Sequence, residues 1–189
     1  MAELLVIQMS GAPGAGKSTI AREIHCRQGT AILDFDIVKS ALLARDVPWM
    51  MAGRGAYSVM DALARSLLDQ GISVILDSPC YYQDLLDRSL RMAEEKNACY
   101  RYIECVNEDL TEIGRRLRSR TPLRCQRRDL GIASPDYPDA EAVSGEDLFR
   151  EWIANMKRPS HSYLRVDTSR PLVDCFLDVF AFLDQCRES

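Results

Sequence analysis

The sequence predicts an α/β fold built on a five-stranded, mostly parallel sheet with helices on both faces. Two observations predict it. Five short apolar runs alternate with segments of helical periodicity about ten to fifteen residues long, and parallel neighbours need such crossovers. Polar residues suited to ligand work (Ser10-Gly11, Asp34, Asp36, Asp77, Thr168) fall at or near the carboxyl ends of those runs, where open α/β sheets bind ligands. The length of 189 residues, with 47% apolar and 28% charged, fits a single domain spanning 1–189 around one core.

Leu4 to Met9 is the first strand, ending at Ser10-Gly11, and Ile20, Ala21 and Ile24 recur at helical spacing behind Lys17. Gly29 suits the left-handed cap of that helix, and Ala31 to Phe35 resumes as a second strand. From Ile37 to Gln70 the pattern is helical, broken near Val47-Pro48 and at Gly53-Arg54-Gly55. This predicts two helices joined by a loop containing Trp49, Met50 and Met51, with Gly71 capping the second. Ile72 to Leu76 is the third strand, Tyr82 to Lys96 a helix, Tyr100 to Val106 the fourth strand and Glu108 to Arg120 a helix. Gly131 to Gly145 reads as a long loop, Tyr163 to Val166 as the fifth strand, and Leu172 to Leu183 as a last amphipathic helix.

Composition narrows the function. Lys and Arg number 24 against 28 Asp and Glu, a formal net charge of −4, which argues against a protein that coats nucleic acid or acidic membrane. No apolar run approaches the roughly 18 to 20 residues that cross a bilayer, and the apolar start lacks a basic leader region. The expectation is a cytoplasmic protein. Its seven scattered cysteines form no C-x-x-C pair and read as small core residues in a reducing compartment, with no zinc site.

Gly11-Ala12-Pro13-Gly14-Ala15-Gly16-Lys17-Ser18-Thr19 fits G-x-x-x-x-G-K-[ST] between an expected strand and an expected helix, the setting of a phosphate-binding P-loop. Backbone N–H groups and the helix dipole cradle phosphates there, Lys17 reaches the β- and γ-phosphates, and Ser18 is placed to ligate Mg²⁺. Guanine (N-K-x-D), GTPase-switch (D-x-x-G) and transporter (L-S-G-G-Q) motifs are missing. Asp34-Phe35-Asp36 follows instead. Residues two apart on a strand share a face, so both carboxylates are expected to point at the phosphates, with Asp34 in the metal shell and Asp36 as base. Helix capping is the competing role for this pair. Asp77 is a second acidic position for a metal-bound water, or else a turn former before Ser-Pro.

Arg115, Arg116, Arg118, Arg120, Arg124, Arg127 and Arg128 lie in one segment without an acid. They read as a lid that clamps the transferring phosphoryl group, as a basic track for a polynucleotide, or as a solvated face. Arg116 and Arg120, at i and i+4, are expected to share a helix face.

With these residues the chain resembles the small P-loop kinases, the group holding adenylate, gluconate and shikimate kinases, chloramphenicol phosphotransferase and the kinase domain of phage polynucleotide kinase. The likeness covers about residues 4 to 185. The resemblance implies MgATP as donor, an acceptor-holding helical region at about 37–70 and an arginine-bearing lid at about 115–150 whose active arginines are Arg116 and Arg120. It places the loop Asp167-Thr168-Ser169-Arg170-Pro171, with Thr168 and Arg170, around adenine. In the polynucleotide kinase pattern the strand-end Asp is followed three residues on by Arg. Here Lys39 follows Asp36, which keeps the charge and loses the fork.

The acceptor pocket is expected to be walled by Trp49, Met50, Arg54, Tyr57, Cys80, Tyr81 and Tyr82, a lining that suits a small organic alcohol or nucleoside better than a polyanion. The leading expectation is transfer of the γ-phosphate of ATP to a small-molecule hydroxyl. A polynucleotide- or tRNA-directed kinase and an ATP-bound switch or assembly protein are the alternatives.

Overall fold

A computed structural model describes residues 3–137, 145–161 and 163–185. Five strands, β1 (Leu5–Ser10), β2 (Ala31–Asp34), β3 (Val74–Asp77), β4 (Cys99–Val106) and β5 (Tyr163–Asp167), form one sheet in the order β2-β3-β1-β4-β5, and every pairing is parallel. Successive side chains of β1 point to opposite faces. Leu5, Ile7 and Met9 pack with Ile20 and Ile24 of α1 (Lys17–Gln28) and with Val179 and Leu183 of α7 (Leu172–Asp184). Val6 joins the other layer, made by Phe35 of α2 (Phe35–Leu43), Met60 and Leu68 of α3 (Trp49–Asp69), and Met92 of α4 (Gln83–Glu95). The remaining helices are α5 (Leu110–Ser119) and α6 (Glu146–Ala154).

Three local readings are corrected. Trp49, Met50 and Met51 open α3 instead of forming a loop, and α3 runs through Gly53-Arg54-Gly55 without a break. Gly55 serves packing, since a Cβ there would stand 3.3 Å from Leu42 Cδ1 and its absence lets α2 lie close against α3, whereas a Cβ on Gly53 would meet Lys39 Nζ at an ordinary 3.8 Å. Helix α6 has no counterpart among the expected elements, although Phe149, Trp152 and Ile153 at helical spacing behind Glu146-Asp147 signal it. Most of the expected loop Gly131–Gly145 lies outside the described residues, which stop at Tyr137 and resume at Gly145.

Of the cysteines, Cys80, Cys105, Cys125 and Cys175 are buried free thiols, Cys26 is an exposed one, and Cys99 is disulfide-bonded, against the reading of all seven as free thiols. Among the described residues no helix is long and apolar enough to cross a membrane.

Candidate active site

The turn after β1 needs its glycines. Gly11 has φ 129°, and a Cβ there would stand 2.2 Å from the Cys105 carbonyl oxygen; Gly14 and Gly16 have φ 81° and 93°. These left-handed conformations turn the loop around the N-terminus of α1, where unsatisfied N–H groups favour an anion. Lys17 folds back over the loop and donates from Nζ to the Gly11 and Ala12 carbonyls at 2.9 and 3.1 Å.

Register brings two carboxylates together. Parallel pairing sets Asp34 of β2 beside Asp77 of β3, with Met9 on the far side of Asp77. Burial pushes the Asp34 carboxyl above its ordinary value, and the neighbouring Asp77 adds to the rise. Asp77 is 5% exposed and burial raises it likewise. Neither of its oxygens reaches hydrogen-bonding geometry with a partner among the described residues, although Lys17 and Ser18 stand near enough to oppose the rise. An orphaned, buried carboxylate beside the P-loop hydroxyl fits a hydrated divalent cation. Mg²⁺ keeps several waters and takes only one or two carboxylates, so Ser18, Asp77 and Asp34 are a sufficient protein share.

The expected strand geometry of Asp34 and Asp36 is not what forms. Strand β2 ends at Asp34, which caps α2 by accepting from the Asp36 and Ile37 amides at 2.8 and 3.2 Å through Oδ1. Asp36 therefore sits in the first helical turn. A helical turn still carries its carboxylate to the same cleft, of about 670 Å³, that the P-loop opens into.

That cleft gathers Pro13, Gly14, Gly16, Lys17, Ser18, Thr19, Asp34, Asp36, Trp49, Asp77, Tyr81, Arg116 and Arg120, most of the residues singled out by sequence. Gly11, Ala12 and Ala15 lie beneath the loop and are buried. Arg54 is exposed on α3 and does not line the cleft. Tyr57 stacks on Phe35 with ring centroids 4.3 Å apart, in the layer behind the cleft. Cys80 is packed with Leu86 and Tyr102.

Arg116 and Arg120 do not share a helix face, because α5 ends at Ser119 and Arg120 is extended (φ −94°, ψ 155°). They meet at the cleft all the same. Arg116 is held by Glu112 at 2.8 Å and by the Thr168 hydroxyl and carbonyl at 3.2 and 2.8 Å. Arg120 is half-buried; Nη2 donates to the Arg127 carbonyl at 3.2 Å, while its Nε has no partner among the described residues. Thr168 is itself buried and donates to the Ala15 carbonyl at 2.9 Å, bracing the P-loop, and Arg170 pairs with Asp178 at 2.7 Å. Neither lines the cleft.

The arginine segment is not a bare basic track. Arg115 and Arg116 share Glu112, whose carboxyl they hold down at about 2, Arg118 pairs with Asp129, and Arg124 pairs with Asp136.

Sequence reasoning reached the far wall only in part: Trp49 and Tyr81 were expected in the acceptor pocket and Arg127 in the lid, whereas Cys125, Gln126 and Tyr137 were not singled out. Lys39 is 8% exposed and its ammonium stands 3.4 Å from the Trp49 ring centroid and 5.7 Å from that of Phe35. Burial pulls its pKa below the ordinary lysine value, opposed by Cys125 and Asp36. Tyr81 tilts against Trp152 at 5.7 Å, and its buried hydroxyl has no partner among the described residues. Arg127, Gln126, Cys125 and Tyr137 come from the loop after α5.

A family model described as "AAA domain" matches residues 6–130. Among curated proteins none matches the chain. Solved structures do. A putative kinase from Chloroflexus aurantiacus superposes with TM-score 0.67 at 18% identity, covering 98% of each chain. APS kinase from Mycobacterium tuberculosis, in complex with AMPPNP and APS, gives 0.64 at 17% identity over 96% of this chain and 98% of that one. A gluconokinase from Sinorhizobium meliloti gives 0.63 at 15% identity over 97% and 93%. The chain shares its fold with all three.

Proposed function

From the premise that the chain belongs to the AAA domain family, with the fold of a small P-loop kinase, we propose that it transfers the γ-phosphate of ATP to a hydroxyl of a small molecule. One observation carries the reading: a single cleft holds the phosphate cradle with Lys17 together with the Asp36 carboxylate, which has Lys39 and Arg120 beside it. The P-loop N–H groups and Lys17 bind the phosphates, while Arg116 and Arg120 neutralise charge on the group in transit. Ser18, Asp77 and Asp34 would hold Mg²⁺, which would supply positive charge to offset that of the phosphates. Asp36 accepts the proton of the attacking hydroxyl.

The acceptor end is aromatic and cationic. Lys39 lies on Trp49, Tyr137 packs edge-on against Trp49 at 5.0 Å, and Arg127 stands over Trp152 at 5.6 Å. This supports a small acceptor with an apolar or planar body and an anionic group, where the sequence alone favoured a neutral alcohol or nucleoside. The internal pairing of the arginine segment supports the small-molecule reading over a polynucleotide one.

Incubation with MgATP and metabolite fractions, read by mass spectrometry, tests this. A new phosphate ester formed by the wild-type protein and not by Lys17→Ala is expected. No ester from any fraction, with ATP bound, would overturn it in favour of a nucleotide-bound switch.

A further inference from the structure

Asp36 is held by the loop that follows α5, through contacts that fix its orientation. Gln126 donates from Nε2 to Asp36 Oδ2 at 2.7 Å. Its amide cannot turn round without loss, because its own Oε1 accepts from the Leu123 backbone N–H at 3.1 Å while the Gln126 N–H donates to the Leu123 carbonyl at 2.9 Å. The carboxamide is thus clamped at its oxygen and presents its N–H₂ end to the carboxylate. The next residue back adds two anchors. The Cys125 backbone N–H donates to Ser40 Oγ on α2 at 3.0 Å, and the Cys125 thiol donates to Asp36 Oδ1 at 3.4 Å.

We propose that Gln126 is a positioning residue for Asp36. It aims the carboxylate at the acceptor hydroxyl and makes the base competent only when the loop carrying Arg120 and Arg127 is seated on α2, a role that rests on the reading of Asp36 as base. A glutamine at this place orients the carboxylate through a neutral N–H₂ donor whose own oxygen is held by the Leu123 N–H. The donation leaves lone pairs on both Asp36 oxygens for the incoming hydroxyl, since a carboxylate offers about four acceptor positions.

Two measurements test it. The first is the Gln126 side-chain amide signal in ¹⁵N-edited NMR, which needs neither acceptor nor ATP. One of its protons is expected downfield and slow to exchange with water, and Asp36→Ala is expected to return it to the ordinary glutamine position. A glutamine that only fastens the Leu123 turn would keep its signal in Asp36→Ala, and that result would overturn the proposal. The second is Gln126→Glu, which preserves the acceptor for Leu123 but replaces the donor to Asp36 by a like charge. On the acceptor identified by the ester screen, kcat is expected to fall on the order of tenfold or more with the KM for MgATP within about twofold. An unchanged kcat would overturn the positioning role. If Asp36→Asn keeps full transfer while the NMR contact is present, the base assignment fails instead, so the two failures are told apart.

Discussion

On the proposed reading, Asp36 as base and Asp77 as a metal-shell carboxylate respond differently to loss of charge. Asp36→Asn is expected to lower phosphoryl transfer by about 10²- to 10⁴-fold, the usual worth of a general base, with ATP binding intact; transfer and nucleotide affinity measured on one preparation check this. Asp77 has a folded-state pKa raised by burial. Such a carboxyl gives its full stability below the unfolded value of about 3.9 and loses it as pH rises through the folded value. Asp77→Asn is therefore expected to raise the melting temperature of the nucleotide-free protein at pH 7, each kcal/mol appearing as about 2–4 °C, and to raise it less near pH 4. The same substitution should weaken Mg²⁺-dependent ATP binding. Thermal melts at both pH values, with and without MgATP, separate the two effects. At Gly11 the constraint is steric: Gly11→Ala is expected to abolish ATP binding and lower stability, since its Cβ would enter the Cys105 carbonyl at a φ that L-residues rarely adopt.

At the scale of elements, the α2–α3 pair shows where glycine is packing and where it is only a weak spot in a helix. A methyl group on Gly53 would meet its neighbours at ordinary contact distances, 3.8 and 3.9 Å, whereas one on Gly55 would face Leu42 at 3.3 Å. Gly53→Ala is expected to stabilise α3 by up to about 1 kcal/mol, and Gly55→Ala to gain less because Leu42 must give way; chemical denaturation compares them. These glycines also explain what the sequence conceals. The strands were legible because each is a short apolar run, and the P-loop because its spacing leaves little choice of conformation. Gly53-Arg54-Gly55 looked like a break because local propensity is silent about the neighbouring helix that needs the room. Asp36 looked like a strand residue because Asp-Phe-Asp left the strand and the capping readings both open, and only the backbone decides that Asp34 caps a helix starting at Phe35. Part of the cleft's far wall was hidden for another reason: Gln126 and Cys125 reach Asp36 across about ninety residues, and no periodicity records such a contact.

At the scale of the molecule, a buried carboxylate and a few hydrogen bonds tie the far side of the cleft to the sheet. Glu104 on β4 is 1% exposed and takes Arg158 Nη2 at 2.8 Å in a two-bond pair, while Tyr102 donates to the Lys157 carbonyl and the Lys157 N–H donates to the Cys80 carbonyl at 2.9 Å. These bonds tie the segment after α6 to the sheet and so fix Trp152 at the cleft. Arg158→Met is expected to destabilise by less than the roughly 3–5 kcal/mol of a wholly unpaired buried charge, because Arg165 Nε stays 3.8 Å from Glu104 Oε2, and adding Glu104→Leu to recover much of the loss; denaturation midpoints of single and double variants check the order. One consequence follows for observation of the protein at work. The chain has two tryptophans, and both line this cleft, Trp49 from α3 under the Lys39 ammonium and Trp152 from α6 beside Tyr81. Its entire intrinsic indole emission thus originates at the walls of this cleft, which makes the unlabelled protein its own optical gauge of what enters and leaves it.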